Sequence, residues 1–257
     1  MSAGQSLPQD MNSIRLGAIG LAVVGAVIGL LGLVTNSEQF FQAYLAGFML
    51  WAEVAIGCLG VVMLGNVVNA RWLYSIQRLA EAGARTLPAV AIMFIPVALG
   101  LGQIYPWMAE GYTFSSSGQE FLFQPLFFVV RTLIYFAAWI IMTYQLTGWS
   151  YRRDRDDAPD MGDHPRNYAY VGMVIYVITT SLAAVDWSMS LTPLWFSSVW
   201  GWLSLGRAVL TTVAVLVIVL ALFWNTNPIK EAFNEKARLD LSAVVLVATL
   251  VWAYFHV

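Results

Sequence analysis

Residues 44–64 read YLAGFMLWAEVAIGCLGVVML, and this stretch decides the fold class. A helix needs ~20 apolar residues to cross a bilayer, and this run supplies them. One charge, Glu53, stands near its middle. Outward from it the same apolar pattern repeats along the chain. Spans are expected at Ile14–Val34, Phe41–Val68, Leu87–Ile104, Phe121–Leu146, Tyr168–Trp187, Val199–Trp224 and Leu239–Val257. Pro88 and Pro96 in the third predict a kink. The class is all-α, a polytopic transmembrane helix bundle of about seven spans. Residues 1–257 read as a single integral-membrane bundle with no separate soluble domain.

Composition agrees. Hydrophobic residues make up 59% and charged residues 11%, whereas soluble domains carry ~25% charged residues. Met1–Arg15 lacks the basic start and cleavage site of a signal peptide, so the first apolar run reads as a retained span. The sequence stops at or within the seventh span with no polar tail, as a piece of a longer protein would.

Charge sets the expected topology. Arg71, Arg78 and Arg85 follow span two, Arg152, Arg153, Arg155 and Arg166 follow span four, and Lys230, Lys236 and Arg238 follow span six. The opposite loops contain no Lys or Arg. The positive-inside rule therefore puts the N-terminus in the cytoplasm. This distribution at membrane edges offers no face to nucleic acid. Arg71, Arg78 and Arg85 are spaced by seven and predict a short interfacial helix with snorkelling arginines. The loop Tyr151–Tyr168, with five aspartates, is a solvated loop or a docking segment.

The inventory excludes several chemistries. A single cysteine, Cys58, rules out an iron–sulfur cluster, a CxxCH haem attachment and an internal disulfide. His164 and His256 both lie outside the span interiors, so no intramembrane bis-His haem is available. Both lysines are in a loop, so no retinal Schiff base can form within a span.

Four ionisable residues remain inside apolar stretches: Glu53, Arg131, Asp186 and Arg207. A charge at bilayer depth costs ~2.5–3.5 kcal/mol on insertion scales, so such residues usually face the bundle interior. Glu53 is mid-span, Arg131 and Arg207 lie in the outer half, and Asp186 ends span five near the outer surface. Helical spacing extends three polar stripes: Tyr176, Thr179, Ala183 and Asp186; Gln124, Arg131 and Tyr135; and Ser204, Arg207 and Thr211. One reading is a proton path through Glu53 and Asp186, tuned by the arginines. The other is a pair of ion pairs that hold the helices in register, although buried pairs are often no net stabiliser.

Trp107, Trp187, Trp195, Trp200, Trp202 and Trp224 cluster near span ends and predict an aromatic belt. Asp186–Trp202, aromatic and beside an acid, also suits a quinone site. Gly25 and Gly29 in span one, with Gly32, Ala18, Ala22 and Ala26, predict close helix packing, by default within the bundle and alternatively against another subunit.

Five stretches carry a resemblance as a set. They are YLAGFMLWAEVAIGCLGVVML (44–64), RTLPAVAIMFIPVALGLGQIYPW (85–107), QPLFFVVRTLIYFAAWIIM (124–142), AAVDWSMSLTPLWFSSVWGWL (183–203) and LVWAYF (250–255). Over about residues 40–257 the chain resembles the F subunits of bacterial alternative complex III, membrane subunits of the polysulfide-reductase (NrfD-like) type. That complex is a quinol-oxidising respiratory assembly. The resemblance implies a bacterial inner (cytoplasmic) membrane location. It implies a sister NrfD-like membrane subunit, a multihaem cytochrome c and an iron–sulfur subunit as partners, besides lipids, with a terminal oxidase as an optional one. Haem c and iron–sulfur clusters would sit in those partners, quinol would be the complex's substrate, and this chain would carry no cofactor. The resemblance touches Arg131 and Asp186 directly, and Glu53 lies within a matching stretch. Two features depart from the family. About ten spans are expected, and histidines expected after span two are absent where the chain reads GNVVNARW. Rival readings are a direct quinol-binding subunit, a purely structural anchor and a stand-alone transporter.

Overall fold

The computed structural model describes residues 9–68, 73–154, 162–223 and 235–256. Every regular element among them is helical. The order is α1 (Gln9–Thr35), α2 (Ser37–Val68), α3 (Leu73–Ala84), α4 (Leu87–Leu99), α5 (Leu101–Ile104), α6 (Ser117–Leu122), α7 (Pro125–Arg153), α8 (His164–Trp187), α9 (Trp200–Phe223) and α10 (Glu235–His256). Among the described residues, six stretches are long and apolar enough to cross a membrane: Asn12–Thr35, Ser37–Val68, Ile76–Leu99, Pro125–Arg153, His164–Leu191 and Trp200–Phe223. The helix α10 occupies the place of the expected seventh span but is not among the six.

Helix α2 is the centre of the bundle. It packs against α3, α4, α8 and α9, and buries Leu45, Phe48, Ala52, Ile56, Leu59 and Met63 along its length. Small residues allow the closest approaches. A Cβ on Gly57 would fall on Thr212 Oγ1 and 2.7 Å from the carbonyl oxygen of Ala208, so α9 lies directly against α2 there. Aromatic side chains fill the space between α2, α4, α7 and α8. The Trp187 ring stands 5.1 Å from Phe48 and 5.8 Å from Phe136, centroid to centroid.

Several expectations need correction. The third span starts earlier than Leu87, because Thr86 keeps a helical φ/ψ of −79°/−9° and joins α3 to α4. Pro88 is tolerated in the first turn of α4, where its missing N–H costs nothing. The axis breaks at Gly100, whose N–H bonds back to Pro96 and Val97. The fourth span does not begin at Phe121. Ser116 caps the short helix α6 by accepting the Gln119 N–H at 3.2 Å, and Pro125 opens α7 as a separate element.

Helix α3 packs one face into the bundle and leaves its arginines on the exposed side. Ile76, Ala80, Glu81 and Ala84 are fully buried. Arg78 binds Glu81 at 2.6 Å and also pairs with Asp154, while Arg85 donates to Thr147 Oγ1 at 3.0 Å. Both guanidinium groups lie over the Tyr151 ring. Arg71, and Asp156, Asp157 and Asp160 of the acidic loop, lie outside the described residues.

The tryptophans near span ends differ in burial. Trp195 and Trp202 are exposed, but Trp107 and Trp187 are core residues. Trp224 lies outside the described residues. Helix α1 does not pack its glycines inside the bundle. Its apolar window is wholly unburied, Gly25 has open space beside it, and only Gly29 and Gly32 touch Phe40.

Candidate functional site

The four intramembrane charges form two separate cross-helix pairs rather than one cluster. In the first, α7 presents Arg131 and α8 presents Asp186. Arg131 donates from Nε to Oδ2 at 3.1 Å and from Nη2 to Oδ1 at 2.7 Å. Tyr135, one turn along α7, donates its hydroxyl to Oδ2 at 2.9 Å. The Arg131 guanidinium also stacks 4.5 Å over the Phe127 ring. Asp186 is buried, its carboxylate held by Arg131 and Tyr135, and a short 3₁₀ turn follows at Met189–Leu191. Ser190 Oγ donates to the Asp186 carbonyl there. Trp187, next in sequence, points to the other side of this contact and donates Nε1–H to Thr132 at 3.2 Å. Tyr105, beyond the end of the third span, donates to the Trp187 carbonyl at 3.2 Å. Burial, with the Asp186 charge adding to it, pushes the Tyr105 hydroxyl pKa up, so it stays a donor.

The second pair joins α2 to α9. Arg207 Nη2 donates to Glu53 Oε1. Thr212 Oγ1 donates to the Val54 carbonyl at 3.2 Å and fixes the same contact one turn further along α9. Gly57 lets the helices meet there, four residues after Glu53 on the same side of α2. Beside this pair is a cavity of about 30 Å³, with Thr180, Ser188 and Ser204 in its wall as well as Glu53 and Arg207. One water needs ~10–15 Å³ of such space, so the cavity suits one or two molecules. The wall also has unmet hydrogen-bonding capacity, since Arg207 Nε and Thr180 Oγ1 are buried without a protein partner.

The expected polar stripes are met unevenly. Arg131 and Tyr135 act together on Asp186 as the spacing predicts, but Gln124 is an exposed residue that only precedes α7. Ser204 and Arg207 line the cavity, and Thr211 is outside it. On α8, Thr179 accepts from Trp139 Nε1 at 2.9 Å and returns its own proton to the Ile175 carbonyl, away from both pairs. Tyr176 is buried with an unpartnered hydroxyl, set against Gly60. Ala183 lines the cavity while Asp186 faces Arg131, so one stripe serves two sites.

Sequence reasoning missed Thr180 and Ser188. Their face of α8 (Thr180, Ala183, Ala184, Trp187, Ser188) has helical spacing too, and was legible only as an alternative to the Tyr176–Asp186 stripe. It also missed Glu81, wholly buried and bound by Arg78 and by Gln77 Nε2 at 3.0 Å. Among the described residues no group of three or more His, Cys, Asp or Glu could hold a metal ion. No protein-family model matches the chain, and no curated protein is significantly similar to it.

Proposed function

We propose that this chain is a cofactor-free, multi-pass membrane subunit of a quinol-oxidising respiratory complex, the alternative complex III type that its sequence resembles. In this reading it crosses the bacterial inner membrane seven times from a cytoplasmic N-terminus. It scaffolds its neighbours and conducts protons through the site at Glu53. A sister NrfD-like subunit, a multihaem cytochrome c and an iron–sulfur subunit carry the electrons.

One observation supports the proton role above the others. Glu53 shares a water-sized cavity with Arg207 and three hydroxyl-bearing residues inside an apolar bundle. A carboxylate needs a mobile partner to exchange its proton, and water held between hydroxyls supplies one. Arg131–Asp186 lacks this feature. Its carboxylate is fixed by three hydrogen bonds in a closed contact, which suits a clamp between α7 and α8. The two sequence-level readings of the charges thus each describe one pair: a clamp at Asp186 and a proton site at Glu53.

The test is purification from the native membrane in mild detergent, followed by reconstitution into vesicles with quinol and an electron acceptor. The reading expects c-type haem absorbance and an iron–sulfur polypeptide to co-purify. It expects quinol oxidation to move protons across the vesicle membrane. A colourless chain that purifies alone would refute it.

A further inference from the structure

The Glu53–Arg207 pair is not fully enclosed. The Arg207 side chain is 41% exposed and that of Glu53 20%. Only Nη2 of the guanidinium is engaged by a described residue; Nε is buried without a partner and Nη1 makes no hydrogen bond. Arg207 lies seven residues into α9, ~10 Å along the axis from its first residue. The surroundings on this side are apolar. Leu50, one turn before Glu53, is exposed, and so is Ala214, two turns beyond Arg207 on the same face of α9. Acyl chains offer no acceptor to a guanidinium at such a depth, so charges there face protein or a water-filled space.

We infer that this face of α2 and α9 is a docking surface for a transmembrane helix of another subunit, one that presents a hydrogen-bond acceptor to Arg207. A carboxylate, hydroxyl or amide oxygen on that helix would engage Nη1. The same helix would seal the cavity from lipid, and the proton site is then completed at a subunit boundary. Apolar side chains of the partner would cover Leu50 and Ala214. The inference rests on the reading of this chain as a subunit, and it adds the place and the chemistry of one contact.

The test is photo-crosslinking in the assembled complex in native membranes. A benzophenone side chain replaces Leu50 in one variant and Thr211, one turn beyond Arg207, in another. The expected result is an adduct with a different membrane polypeptide from both positions. The crosslinked peptide should lie in one of that polypeptide's transmembrane segments and carry a polar acceptor. Lipid adducts alone, no adduct, or an adduct with a second copy of this chain would overturn the inference. If haem-bearing partners still co-purify in those cases, the docking surface fails while the subunit reading stands. If nothing co-purifies, both fail.

Discussion

Arg131 grips Asp186 from the neighbouring helix in the fork geometry of a guanidinium on a carboxylate, with Nη2 to Oδ1 at 2.7 Å and Nε to Oδ2 at 3.1 Å. Little of either side chain is exposed. Removing one partner from a buried pair costs ~3–5 kcal/mol, because the other charge is left uncompensated. Asp186→Ala is therefore expected to destabilise the protein by ~3–5 kcal/mol. Replacing both residues with apolar ones, Arg131→Met with Asp186→Leu, should recover most of that loss. Unfolding in mixed micelles measures both. A double variant as unstable as the single one would refute the role as a clamp.

Tyr135 completes that contact with a hydrogen bond to a charged acceptor. Such a bond is worth ~1.5–3 kcal/mol, so Tyr135→Phe should lie well short of Asp186→Ala in the same unfolding series. The two effects should not add when combined, since both act on one carboxylate.

Gly57 sets the distance between α2 and α9. Gly57→Ala would press a methyl against the Ala208 carbonyl and Thr212, and backbone on α9 cannot rotate out of the way. Overpacking of this kind costs ~1–3 kcal/mol. Any proton function at Glu53 should fall with it. By contrast, Gly148→Ala in the interior of α7 meets nothing within 4 Å, so it should stabilise the helix by ~0.5–1 kcal/mol and leave proton function unchanged. Unfolding and proton-release assays on both variants check this.

Topology is testable with one accessible thiol. Cys58 is buried, so the native chain gives no labelling background. With the basic loops in the cytoplasm, Thr113→Cys should react with a membrane-impermeant maleimide on intact spheroplasts. Asp163→Cys should react only after permeabilisation. The reverse pattern would invert the assignment.

The helical class was legible because apolar run length is a local property. So were the four intramembrane charges, which stand out against their own flanks. Their pairing was not legible. Asp186 is 55 residues from Arg131, and Glu53 is 154 from Arg207, so the choice depends on which helices neighbour one another. Glu81 escaped for a related reason: α3 reads as amphipathic and interfacial until α2 and α7 cover it. Trp187 looked like an interfacial tryptophan because it ends a span. It is buried because Phe48, Phe94 and Phe136 converge on it from three other helices. Span boundaries moved where local backbone chemistry decided them, at Thr86, Gly100 and Pro125.

The most direct test of the central claim is the number of protons moved per electron in the reconstituted complex carrying Glu53→Gln. Glutamine keeps the size and an acceptor for Arg207 but cannot carry the proton. The expected result is assembly and quinol oxidation near native rates with proton translocation reduced or lost. An unchanged ratio of protons to electrons in a fully assembled variant would contradict the account.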